Sequence, residues 1–110
     1  MLRKSFTAVP ERNVAITDGF SSEPYETAWA IECRWFVHVL EAPAGAVLRF
    51  WSETSPEGLT WCRHEASEVT LMGAGLATLA LREIGPWQRL SFALDDAPSV
   101  RAIVYLTLKG

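Results

Sequence analysis

The chain has 110 residues, about half of them hydrophobic (49%) and a fifth charged (21%), with a net charge of −3 at neutral pH. Residues 1–110 are thus expected to form a single domain around one core, and that composition excludes a largely disordered chain. Acids and bases are interspersed, which argues against nucleic acid as a partner, and no apolar run reaches the 18 residues of a membrane span.

In chain order, Lys4–Val9 alternates and is β-prone, and Pro10 is expected to end it. Asn13–Thr17 reads as a second short strand, closed by Asp18-Gly19. Gly19–Thr27 is a loop by composition, rich in Ser, Pro, Gly and acids. Ala28–Leu40 is the strongest strand signal. Trp29, Ile31, Cys33, Trp35, Val37 and Val39 share one face, and Ala30, Glu32, Arg34, Phe36, His38 and Leu40 the other. Ala42-Pro43-Ala44-Gly45 turns the chain into a strand over Ala46–Glu53. Pro56-Glu57-Gly58 is turn chemistry between that strand and Leu59–Glu65, because Pro fixes φ and Gly tolerates positive φ. Val69–Met72 is short and is broken by Gly73-Ala74-Gly75. Leu76–Glu83 has fair helix propensity, but it is short, flanked by turns and alternating, so a strand is expected. Trp87–Leu94 and Val100–Lys109 alternate as strands, separated by Asp95-Asp96-Ala97-Pro98. The pattern predicts an all-β protein: an antiparallel two-sheet β-sandwich of jelly-roll type with about eight strands.

Ser55-Pro56-Glu57-Gly58-Leu59-Thr60-Trp61 resembles the Ser-x-Asp-Gly-x-x-Trp hairpin of small jelly-roll domains, with Glu57 in place of the usual Asp. Such domains include phage-type virion structural proteins and, more distantly, discoidin-like galactose-binding modules. Gly85-Pro86-Trp87-Gln88-Arg89-Leu90 is similar to an aromatic-x-Arg-Leu strand of these domains, and Val100–Lys109 to their last strand. Pro24–Ala30 looks more like the phage-type group. The likeness spans about Val47–Gly110 and implies fold more than activity. The sialidase Asp-box turn is one residue too long for this hairpin, and the chain is too short for a propeller.

The chemistry-bearing residues are few. Cys33 and Cys62 lie in no Cys-x-x-Cys or His/Cys cluster, so zinc is not expected and two reduced thiols are favoured over a disulfide. His38 and His64 are the only histidines; Cys62 and His64 on one strand face supply at most two metal ligands. Both are read as exposed or half-buried strand histidines. Glu53 and Glu57 around the hairpin, and Asp95-Asp96 in a turn, are read as solvated turn carboxylates rather than a glycosidase pair. No nucleophile elbow, zincin motif or phosphate-binding loop is present.

These observations lead to a non-enzymatic protein without cofactor or metal. The basic Met1–Ser5 lacks a following apolar run, so no signal peptide is expected, and the protein is placed in the cytoplasm or on a particle. Five tryptophans are many for this length. Trp29 and Trp35 are assigned to the core, whereas Trp51, Trp61 and Trp87 are candidates for a ligand or subunit contact, together with Tyr25, Phe36 and Tyr105. The long strand and the last one carry apolar residues on both faces, which predicts burial against another copy. The leading expectation is therefore a self-assembling, homo-oligomeric structural protein of a phage-like particle or shell. The alternative is a carbohydrate-binding module that stacks a glycan on exposed tryptophans.

Overall fold

Period-two alternation is kept most strictly in the last strand, where Val100, Ala102, Val104, Leu106 and Leu108 are all buried and the residues between them are not. The structure is a computed structural model that describes residues 5–110. Its strands are β1 (Ser5–Ile16), β2 (Tyr25–Glu26), β3 (Glu32–Glu41), β4 (Val47–Ser55), β5 (Cys62–Arg63), β6 (Val69–Met72), β7 (Gly75–Arg82), β8 (Trp87–Asp95) and β9 (Val100–Lys109). They make two antiparallel sheets. The first runs β1-β9-β3-β7, and the second runs β2-β8-β4-β5 with β6 also on β4. β8 takes one side of β4, so β5 and β6 share the other, β5 at Glu53–Thr54 and β6 at Val47–Phe50. Nine strands thus fill eight positions, interleaved as in a jelly roll. Leu76–Glu83, the segment with helix propensity, is the strand β7.

The inner faces meet in one core. β3 contributes Cys33, Trp35, Val37 and Val39; β4 contributes Leu48 and Phe50; β8 contributes Leu90, Phe92 and Leu94. Phe92 lies tilted against Phe50 and Phe20, with centroids 6.0 and 5.9 Å away. A polar strut crosses this apolar layer. Trp35 Nε1–H donates to Ser52 Oγ (3.0 Å), Ser52 Oγ–H donates to Gln88 Oε1 (2.9 Å), and Gln88 Nε2–H donates to Thr54 Oγ1 (2.8 Å). Trp35, Ser52 and Gln88 are all buried, and every link has a partner, which is the condition under which buried polar groups are tolerated.

Four expectations need correction. Pro10 does not end the first strand: β1 runs through it to Ile16, with register shifts on either side of Glu11 and Asn13 at φ 47°. An edge strand tolerates this, because the missing Pro N–H breaks no essential ladder bond and the bulges absorb the extra residues. Lys4, where that strand was expected to start, lies outside the described residues. Trp29 and Ile31 are not core: they are 40% and 65% exposed, and β3 begins only at Glu32. Buried Thr27 takes the Pro86 carbonyl with its N–H and Gly85 O with its hydroxyl, and Ala30 N–H bonds back to Thr27 O. The resulting turn breaks the alternation before Trp29.

The Gly19–Thr27 segment carries one short strand, β2, on an otherwise irregular path along β8. With Asp18 before it, it also satisfies that strand through Phe92 N–H to Phe20 O, Leu90 N–H to Ser22 Oγ and Leu94 N–H to Asp18 Oδ1. Finally, His64 is buried (7% exposed). Its Nδ1 accepts the Ala66 N–H (3.0 Å), so the proton sits on Nε2, which donates to the Arg82 carbonyl (2.8 Å). His64 thereby latches the β5–β6 connection to the end of β7 in the other sheet.

Two predictions follow from the strut and the latch. Trp35→Phe and Ser52→Ala should each destabilise the fold by about 2–4 kcal/mol, through lost volume or an orphaned buried polar group. Their double mutant should fall short of additivity by about 1 kcal/mol in a denaturant-unfolding cycle, and full additivity would mean the bond contributes nothing. His64→Ala should cost on the order of 1–3 kcal/mol by the same measurement, since it strands an amide N–H and a carbonyl.

Candidate functional site

β4 buries Phe50 and Ser52, so Trp51 and Glu53 point to the outer face of the second sheet, where Arg89 and Ser91 of β8 stand opposite them in register. Glu53 is the hub. Its Oε1 accepts from Arg89 Nε (2.7 Å) and Ser91 Oγ (2.8 Å), and its Oε2 accepts from Trp51 Nε1 (3.4 Å). Burial would raise its pKa, but the hydrogen bonds from Arg89, Ser91 and Trp51 and the Arg89 charge outweigh that and hold it below the usual carboxylate range. Arg63 lies over the Trp51 ring, 4.1 Å from its centroid, and Arg89 lies over Trp61 at 4.5 Å. Arg63 continues to Glu68 (3.3 Å), and Glu68 to Arg49 (3.8 Å).

Trp87 sits at the start of β8 against the hairpin loop. Gly58 has φ 85°, which favours glycine, and a Cβ there would lie 3.3 Å from the Trp87 ring, a tight approach that would press on the indole. Glu57 closes this loop: its Oε1 accepts from Thr60 N–H (2.7 Å), Ser55 Oγ–H (2.9 Å) and Leu59 N–H (3.1 Å). Those donors, the Thr60 amide foremost, lower its pKa. Glu57 is thus an exposed turn carboxylate that clamps the loop, in keeping with its reading as a solvated turn acid, whereas Glu53 is a half-buried network hub, which corrects that reading for Glu53. The loop over residues 56–61 is correspondingly wide, and β5 is only two residues long rather than Leu59–Glu65.

The six candidate aromatics therefore separate into three groups. Trp51, Trp61 and Trp87 are half-buried along the second sheet and its hairpin loop; Trp51 and Trp61 each have one face covered by a guanidinium, and Trp87 packs on Gly58. Tyr25, on β2, packs against the rim of the core. Phe36 and Tyr105 stand side by side in register on the outer face of the first sheet, with Thr78 on the other side of Phe36. Beyond that pair, His38 stands between Ile103 and Leu76, and Leu40 lies further along β3. Leu76 is 62% exposed and Leu40 39%. In the opposite direction come Arg34 between Thr107 and Ala80, then Glu32 between Lys109 and Arg82. Sequence reasoning named Phe36 and Tyr105 but missed Leu76 and the cationic end, because neither becomes a cluster until β3, β7 and β9 are placed side by side.

Cys33 and Cys62 are both free thiols. Burial, followed by the neighbouring Glu32 charge, pushes the Cys33 thiol up to about 12. Among the described residues no group of three or more His, Cys, Asp or Glu side chains converges, and no helix is long and apolar enough to cross a membrane.

The chain matches no protein-family model and no curated protein. It is similar in structure to the PBSX exported protein XepA, with a TM-score of 0.71 at 9% identity, over 94% of this chain and 36% of that one. The SPBc2 prophage-derived protein YomS matches at 0.56 and 10%, over 100% of this chain and 96% of YomS. A structure of Bacillus endospore appendages, described as disulfide-linked pili, matches at 0.55 and 10%, over 98% and 85%. At these identities the likeness shows the fold, and the phage-type jelly-roll resemblance holds at that level. The chain spans about a third of the length of XepA.

The lowered Glu53 carboxyl has a pH signature. Its contribution to stability is complete above the unfolded carboxyl's pKa and is lost as pH falls through the lower folded value. Glu53→Gln should therefore be less stable than wild type near pH 7, by on the order of 1 kcal/mol after solvent screening. The gap should close in acid; a gap independent of pH in unfolding curves would show that the charge of Glu53 is not what matters.

Proposed function

We propose that the protein is a non-catalytic, self-assembling structural component of a phage-like particle, and that its copies pack through the outer face of the first sheet. The observation that carries this reading is the row Leu76–His38–Ile103, flanked by Leu40 and by the Phe36–Tyr105 pair. A sheet with its inner face already in the core has no intramolecular use for a second apolar face, and contiguous exposed apolar surface of this kind is characteristic of interfaces. The fold shared with XepA, YomS and the endospore appendages supports the same reading.

The glycan alternative asks Trp51, Trp61 and Trp87 for open ring faces. Guanidinium groups on two of these rings and Gly58 on the third favour assembly over that reading.

Light scattering coupled to size-exclusion chromatography tests the proposal. The 12.2 kDa chain should elute as a multiple of its mass, and Leu76→Glu or Ile103→Glu should shift it toward monomer without lowering the thermal midpoint. A wild-type monomer at high concentration would refute it.

A further inference from the structure

The cationic end of the first sheet's outer face is hollowed. A cavity of about 510 Å³ opens there, bordered by Ser5, Thr7, Arg34, Phe36, Thr107 and Lys109, with Glu32 and Arg82 at its far side. That volume lies within the range of small-ligand sites. Three cations surround it against one carboxylate, on a chain whose net charge is −3. The carboxylate is already engaged: Glu32 pairs with Arg82 at 3.4 Å. Among the described residues, Arg34 and Lys109 pair with no carboxylate. Arg34 is oriented by one bond, Nη1–H to Thr78 Oγ1 (3.1 Å), and the rest of its donor fork is unused by protein side chains.

We propose that this hollow binds an acidic saccharide, a sugar ring bearing a carboxylate. The ring lies on Phe36, and the carboxylate is taken by Arg34 with Lys109 beside it. Arg34 and Phe36 are two residues apart on the same strand face, and the Arg34 bond to Thr78, the register partner of Phe36, turns the guanidinium toward the Phe36 row, where it can meet a carboxylate carried by a ring on Phe36. Four strands span about 14 Å, so the floor accommodates one or two rings rather than a long polymer lying across it. The hydroxyls of Ser5 and Thr7 offer neutral donors and acceptors of the kind that sugar hydroxyls pair with, and Thr107, whose hydroxyl donates to the Arg34 carbonyl (3.3 Å), adds an acceptor. An acidic peptide would use the cations but leave the Phe36 floor and this hydroxyl row unexplained, so the saccharide is the better fit to the whole lining. The cationic end of the site lies opposite Leu76 and Leu40, and Phe36 borders both the hollow and the assembly surface; the proposal does not rest on assembly.

The test is calorimetric titration of the full chain with short galacturonate oligomers, with neutral cello-oligomers and oligoglutamate as comparisons. The galacturonate oligomers should bind, and binding should weaken between 50 and 300 mM salt. Arg34→Gln should weaken it about tenfold or more, the usual effect of losing a charge-assisted bond. Ala80→Glu, an exposed substitution on the neighbouring strand that puts a carboxylate beside the hollow, should abolish it while leaving the thermal midpoint unchanged. Trp51→Ala should not alter it. Leu76→Glu, which disrupts assembly in the reading above, should bind at least as tightly per chain as the wild type, so failure of one proposal is distinguishable from failure of the other. Amide shifts on titration should map to Arg34, Phe36 and Thr107. Absence of galacturonate binding at millimolar concentration would overturn the proposal. So would equal binding of the neutral oligomers, oligoglutamate binding as tightly, or shifts centred on Trp51 and Trp61.

Discussion

A two-sheet sandwich is held in register by what crosses between its sheets, and here the crossing through the middle of the core is the Trp35 side chain. Apolar packing is non-directional and would tolerate β3 sliding over β4 and β8 by a residue pair. The indole N–H would then be left without an acceptor in a dry interior, at a cost comparable to a whole hydrogen bond. Trp35 Nε1 on Ser52, Ser52 on Gln88 and Gln88 on Thr54 therefore tie the relative placement of three strands to one satisfied chain of donors and acceptors. The placement of β8 against β4 decides where Arg89 meets Glu53, and the placement of β3 decides where Phe36 meets Tyr105.

The same economy governs the sheet edges, which in a jelly roll are exposed by default. β1 is interrupted by Pro10 and two register shifts, β8 is lined by the segment from Asp18 to Glu26, and β4 is capped by β5 and β6. β7 has none of these devices: it pairs with β3 over eight residues without a register shift, contains no proline, and carries a charge only at Arg82. Unprotected edges are where chains add strands to one another. An open β7 beside the exposed Leu76 places the least defended edge next to the most apolar part of the outer surface, the combination on which the proposed assembly draws.

Most of this architecture was legible in the sequence because alternation is a local signal. β3 from Cys33, β4, β7, β8 and β9 all follow from it, and so does the jelly-roll class. What escaped depended on partners distant in the chain. Trp29 continues the alternation perfectly well as letters, and only the buried Thr27 bonding to Gly85 and Pro86, some sixty residues away, explains why it leaves the core. Ser22 and Asp18 look like loop residues until β8 presents amides for them to accept. His64 looks like a surface histidine until Arg82 offers its carbonyl. The candidate aromatics show the same limit: composition could name Trp51 and Trp61, but the arginines that cover them come from β5 and β8.

The two outer faces differ in a way that bears directly on function. On the second sheet, Glu53 pairs with Arg89 and Glu68 with Arg63 and Arg49, and Trp51 and Trp61 lie under the Arg63 and Arg89 guanidiniums. A surface that satisfies its own donors and acceptors gains little from a partner, since each new bond must replace an existing one. On the first sheet the apolar residues and the cations are separated to opposite ends, and both ends are left incomplete by the protein itself. Leu76 and Leu40 retain much of their exposure, and Arg34 and Lys109 retain their charge without a carboxylate among the described residues. Unspent interaction capacity is what binding draws on, and it is concentrated on the face built from β3, β7 and β9 rather than on the face with more tryptophan.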